Sequence, residues 1–267
     1  MKQVNGLRYV APLREGGSLP AIVETDEPGA YVVKFRGAGQ GPKALIAELL
    51  AAELARPLGL LTPDAALVTL AAGFGQGEPD PEIQDLLRAS VGRNFGLRYL
   101  PGALAYDPAA KHVLDPDLAA AIVWFDAYLT NVDRTPRNTN LLWWPTTRGQ
   151  QPALYLIDHG AALYFQHRWE GWESRIQSAF PQIKDHVLLP FAGDLLAADA
   201  RLRPLLTPAV IRDAVAAIPD DWLGDEAHFA GRDAHRDAYV TYLLARLTGP
   251  RRWLQEAHNA AARTRLV

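Results

Sequence analysis

One stretch constrains the fold of this chain more than any other. In LTNVDRTPRNTNLLWW, residues 129–144, a turn-rich polar loop is bracketed by two apolar elements. Before it, PDLAAAIVWFDAYLTN (116–131) is apolar on most faces, which predicts a buried helix. After it, NLLWW and ALYLI flank PTTRGQQP and read as a β-hairpin. The hairpin converts a spacing in sequence into a neighbourhood in space. Asn138 stands just before the first strand, and Asp158, in LYLIDHG, just after the second. In an antiparallel pair the start of one strand lies beside the end of the other, so both residues are predicted at one edge, with Asp133 in the loop beside them. An amide oxygen and a carboxylate there suit Mg²⁺, which prefers hard oxygen ligands and keeps several waters. A second carboxylate can accept a hydroxyl proton or orient a nucleophile. Asp-Arg-Thr-Pro and Asp-His-Gly are each ordinary turn compositions when taken alone. The chemical reading rests on their order and spacing.

The first hundred residues read as strands around one main helix. AIVET (21–25) and YVVKF (31–35) are β-rich runs separated by the turn composition DEPGA. AALVTLA (65–71) and NFGLRYL (94–100) are further strand candidates. Between them, ALIAELLAAELARPLGL (44–60) reads as a helix ended by Pro57 and Gly59. In YVVKF, strand alternation puts Lys34 on the face of Val32. The helix offers two carboxylates as partners for that lysine. Glu48 lies on a side lined by Ala47, Ala51, Ala52 and Ala55, where small residues let a helix approach a sheet. Glu53 falls amid leucines and is the rival. PGALAYDP (101–108) breaks the pattern and reads as a connection. Beyond about residue 205 helices dominate, with Thr207 and Pro208 as a cap and first helical residue, and Gly249 as a stop.

The string NVDRTPRN resembles the Asn-x-Asp-Arg-x-x-x-Asn loop of the HipA-like kinases, a bacterial branch of the protein-kinase-like superfamily, and is similar to phosphoinositide-kinase loops. AELLAAELARPLGL is similar to the same family's glutamate followed by Leu-Ala and Leu-Gly-Leu, which matches Glu48. LRYLPGAL (97–104) resembles a strand-to-hinge segment. DHG stands where eukaryotic kinases carry Asp-Phe-Gly, with His159 in the phenylalanine position. The resemblance implies an α+β, bilobal protein-kinase-like fold. Residues 1–100 would form a small β-rich ATP-binding lobe, and residues 101–267 a mostly helical lobe with the catalytic loop and metal site.

The resemblance also implies roles. Lys34 would grip the ATP phosphates and Glu48 would fix Lys34. Asn138 and Asp158 would hold Mg²⁺, and Asp133 would orient or deprotonate the acceptor hydroxyl. Gly16, Gly17 and Ser18, in REGGSLP, precede the strand pair and would offer backbone N–H groups to phosphate. GAGQGPK (37–43) lacks the Walker ending and follows the lysine strand, so it joins strand to helix instead. Backbone groups of Arg98, Tyr99 and Leu100 would bond the adenine edge. The implied reaction moves the γ-phosphoryl group of ATP to a hydroxyl. A protein serine or threonine is the favoured acceptor, with a small molecule or lipid, or an inactive nucleotide-binding scaffold, as alternatives. An antitoxin-like regulator is a partner the family resemblance allows.

Composition narrows the partners. With no cysteines the chain has no disulfide or thiolate metal site, and a formal net charge of −3 supplies no basic field for nucleic acid. No run approaches the ~20 apolar residues of a membrane helix, and the N-terminus lacks an apolar core of signal-peptide length, so a cytoplasmic setting is expected. His167 and His186 invite a zinc site, but no pair has helical ligand spacing. The tryptophans read mainly as core. Trp169 and Trp172, which follow the metal turn, are also candidates for a substrate groove.

Overall fold

The computed structural model describes residues 1–13, 19–110, 114–145, 152–224 and 226–264. It is a mixed α+β structure, rich in sheet at its N-terminal end and in helix toward its C-terminal end. Five strands close a barrel in the order β1-β2-β3-β5-β4: β1 (Lys2–Pro12), β2 (Ala21–Thr25), β3 (Ala30–Lys34), β4 (Ala65–Leu70) and β5 (Gly92–Arg98). Among the described residues of the barrel only the closing pair, β1 with β4, is parallel. Closure leaves no open sheet edge. Burial along β3 alternates, with Tyr31 and Val33 inside the barrel and Val32 and Lys34 on the other face.

Helix α1 (Gly41–Ala55) connects β3 to β4. Its alanines and leucines are buried on nearly every side, because α1 is covered by β5 and also by a C-terminal helix, α5 (Pro208–Ala216). A short helix α2 (Pro81–Ala89), capped by the Asp80 side chain on Glu82 N–H, leads into β5. The connection 101–108 is more than a linker. It contains β6 (Leu104–Ala105), which adds to the hairpin of β7 (Leu141–Trp144) and β8 (Ala153–Leu156) to make a three-stranded sheet.

Helix α3 (Pro116–Leu129) runs through the centre of the helical part with Ala119 to Leu129 all buried. It packs against α4 (Leu195–Leu202) and α7 (Arg252–Thr264). Its C-terminal carbonyls at Ala127 and Tyr128 accept from Arg246 of α6 (Arg232–Thr248), a fully buried guanidinium that also donates to Ile176 O. A cation suits that end of a helix. The chain leaves α3 through Thr130 in a left-handed conformation and enters the polar loop directly. Among the described residues no helix is long and apolar enough to cross a membrane.

Trp169 and Trp172 do not line a groove. Both are buried, packed edge-on to Phe165 or to each other, and Trp169 also meets Phe229, His235 and Tyr239. The partners from α6 cover Trp169, and Trp172 packs on it. His235 in this cluster is 3% exposed, stacks on Phe229 at 4.5 Å, and neither ring nitrogen has a partner among the described residues. Burial pushes its pKa down to about 4. The unfolded chain then binds a proton between about pH 4 and the ordinary histidine value near 6.5 while the folded chain does not, so stability falls as pH drops through that window. His235→Phe is expected to keep the stacking and remove an unsatisfied polar group. Thermal melts should show it at least as stable as wild type at pH 7.5, and relatively more stable by about 1 kcal/mol at pH 5.5.

Candidate active site

A cavity of about 1130 Å³ opens between the barrel, the 98–103 segment and the β7–β8 hairpin. Val32, Phe95 and Leu97 give it an apolar wall, and Lys34, Asn138 and Asp158 converge on it from three separate parts of the chain. This mixture of apolar lining and a few polar groups is the usual make-up of a small-molecule site.

Lys34 Nζ donates to Glu48 Oε1 and to Asp158 Oδ1, each at 2.5 Å. Burial disfavours charge on Lys34, but the two carboxylates outweigh it and its pKa is raised. Glu48 is 1% exposed, and burial pushes its carboxyl up against the pull of Lys34. Asp158 is open on one side, and Lys34 outweighs burial to hold its carboxyl down. Glu53, the rival glutamate, turns away and pairs with Arg56 at 2.6 Å. The DHG turn packs on α1: a Cβ on Gly160 would stand 3.4 Å from Glu48 Oε1.

The loop carrying Asp133 is braced from inside. Its backbone N–H donates to Asn131 Oδ1 at 3.2 Å, and Asn138 Nδ2 donates to Asp133 Oδ2 at 2.7 Å. Asn140 Nδ2 lies 3.4 Å from both Asp133 O and Oδ2. Burial and the charge of Asp158 raise the Asp133 pKa, and the two amides oppose that rise. Ile157 N–H donates to Asn140 O at 3.0 Å, so the hairpin ladder continues to the loop and brings residues 138–140 beside Asp158.

Beneath this surface lies a buried polar network that sequence reasoning missed. Arg134, 1% exposed, donates from Nε to Asp126 Oδ2 at 2.5 Å, and from Nη1 to Asn140 O and to Ile157 O. Its Nη2 is 2.9 Å from His159 Nε2. A guanidinium only donates, so His159 Nε2 accepts and the ring is neutral; burial and Arg134 push its pKa down to about 3. His186 Nδ1 accepts from Leu188 N–H at 3.1 Å, which leaves Nε2–H to donate to Asp126 at 2.9 Å. Asn131 Nδ2 adds a third bond to Asp126 at 3.0 Å. One guanidinium thus ties the Asp133 loop to the Asp158 turn. The available signal was an aspartate inside an otherwise apolar helix, which demands a buried cation.

Backbone strain gathers here as well. Of six non-glycine residues with positive φ among the described residues, four are Thr130, Asn140, Asp158 and Leu163, which flank these two segments. Such conformations persist where the surroundings over-determine them.

Arg98, Tyr99 and Leu100, expected from the sequence to form a hinge, all line the cavity. Two of their donors are already used, Arg98 N–H on Asp64 O and Tyr99 N–H on Ala30 O, whereas Leu100 N–H meets no acceptor among the described residues. Gly16, Gly17 and Ser18 lie outside the described residues, but Leu13 and Pro20 on either side of them line the cavity.

The oxygens present suit a hard cation. Asp158 Oδ2 and Asn138 Oδ1 are engaged with nothing else among the described residues, and both residues border the same cavity. Among the described residues no group of three or more His, Asp or Glu could hold a metal alone. Mg²⁺ bound by one or two protein oxygens plus phosphate and water needs no such cage.

Comparison with known proteins bears on the fold and the family. The crystal structure of a Helicobacter pylori proinflammatory kinase, CtkA, has a similar fold, with a TM-score of 0.58 over 96% of this chain and 99% of that one at 14% identity. Among curated proteins none matches. The family match, HipA-like kinase, extends over residues 8–256. Because it takes in the barrel, the cavity and nearly all of the helical part, the chain belongs to the HipA-like kinase family.

Proposed function

We propose that this kinase is bilobal, divided near residue 100, and transfers the γ-phosphoryl group of ATP to the hydroxyl of a protein serine or threonine with the help of Mg²⁺. The observation that carries the reading is the meeting of Lys34 with Glu48 and Asp158 at a cavity lined by Lys34, Asn138 and Asp158, with Asp133 bonded to Asn138. Phosphoryl transfer needs positioning and charge neutralisation more than covalent chemistry, and these groups supply both.

Adenine would lie against Val32 and Leu97 with the free Leu100 N–H as its donor. Lys34, held by Glu48, would turn its ammonium to the phosphates. Mg²⁺, when bound, would neutralise phosphate charge, and Asp158 and Asn138 are the residues that would hold it. Asp133 would orient the acceptor hydroxyl and take its proton; its raised pKa makes it a better base than an ordinary carboxylate. The Asn138 amide on Oδ2 leaves Oδ1 for that contact.

The test is incubation with γ-labelled ATP and Mg²⁺, alone, with cell extract, and with small hydroxyl compounds. Label on protein serine or threonine is the expected result. Label confined to a small molecule would reassign the acceptor, and no transfer with any divalent metal would refute phosphotransferase activity.

A further inference from the structure

Thr135 and Asn138 are joined by two backbone hydrogen bonds, Thr135 N–H to Asn138 O at 3.0 Å and Asn138 N–H to Thr135 O at 3.1 Å. They leave Pro136 and Arg137 as the tip of a two-residue turn. Proline fixes φ at the first of these positions, so the next residue is presented from a stiff base. Arg137 is exposed, lines the same cavity as Lys34, Asn138 and Asp158, and makes no hydrogen bond or ion pair with any described residue.

The other cations around the cavity are committed. Lys34 is held by two carboxylates. Arg98 lies over the Tyr31 ring at 5.8 Å and covers Gly29. Arg134, the neighbour in the loop, is buried under the site. The local charge balance is also incomplete. Three carboxylates, Glu48, Asp133 and Asp158, face a single ammonium, Lys34, which leaves two net negative charges where a polyanion is to bind. A divalent cation offsets those two, and the charge of the phosphates themselves is still unmatched.

We propose that Arg137 is a phosphate-binding residue of this site, its guanidinium contacting the phosphate chain of the nucleotide beside Asn138. The inference rests on the kinase reading above and adds a residue to it. A planar guanidinium matches phosphate oxygens in pairs, which an ammonium does not.

Calorimetric titration of wild type, Arg137→Ala and Arg137→Lys with MgATP, and with adenosine as the phosphate-free probe, tests it. Loss of a charge-assisted contact should weaken MgATP by about tenfold in Arg137→Ala and by less in Arg137→Lys. Adenosine affinity should stay within about twofold in both variants, since one phosphate contact contributes nothing to a ligand without phosphate. MgATP affinity unchanged in Arg137→Ala would overturn the assignment, as would an equal loss for adenosine, which would mean damage to the pocket. Wild type that binds neither probe would instead contradict the nucleotide-site reading itself.

Discussion

Asp126→Ala is expected to destabilise the protein by about 3–5 kcal/mol, the usual cost of removing one partner from a buried ion pair. Asp126 is fully buried on α3 and takes bonds from Arg134, Asn131 and His186. Without it the Arg134 guanidinium remains in the interior uncompensated. For a domain of this size the melting midpoint should fall by about 10 °C. Burial works against the charge on Asp126, but Arg134 and His186 prevail and hold its carboxyl well below the usual carboxylate range. A group depressed in the folded state stabilises it above the unfolded value near 4, and that contribution is lost as pH falls below it. The difference between wild type and Asp126→Ala should therefore be full at pH 7 and shrink in acid below about pH 4. Asp126→Asn keeps an acceptor for Arg134 and should lose less. Denaturant titrations of the three proteins at pH 7 and pH 3.5 check this. Equal stability of wild type and Asp126→Ala at pH 7 would show that Arg134 does not depend on Asp126.

The same network explains which parts of the site were legible in the sequence. Asn138 and Asp158 could be brought together from spacing alone, because a hairpin has one geometry and β7 and β8 form where apolar runs flank a turn composition. Strand alternation was enough to put Lys34 on the face of Val32, and the alanine side of α1 favoured Glu48 over Glu53. These are local patterns. The unread parts depend on distant partners. Strand β1 is mostly exposed, and its burial shows little alternation; pairing with β2 and β4 makes it a strand. Strand β6 is two exposed residues that exist through β7. Trp169 is packed by residues some seventy positions later on α6, and Trp172 packs on Trp169. Asp126 draws on His186, sixty residues away. No window along the chain contains those pairs.

Asp133→Ala is the second large effect, and it falls on chemistry with little effect on stability. Asp133 is half-buried beside the cavity-lining Asn138, and among the described residues its side chain bonds only Asn138 and Asn140. Its loss leaves Lys34, Glu48 and Asp158 in contact, so the proposed nucleotide anchors are kept. It removes the group proposed above to align and deprotonate the acceptor. General-base catalysis contributes about 10²–10⁴-fold in rate, and a loss of that size is expected in kcat, with MgATP affinity changed by less than about threefold.

The most direct measurement sets the two quantities side by side: the rate of γ-phosphoryl transfer from labelled ATP, and the Kd for MgATP, in wild type and Asp133→Ala. The account predicts transfer by wild type, transfer lowered at least about a hundredfold in Asp133→Ala, and binding retained in both. Equal transfer rates in the two proteins, or binding without transfer in wild type, would contradict it.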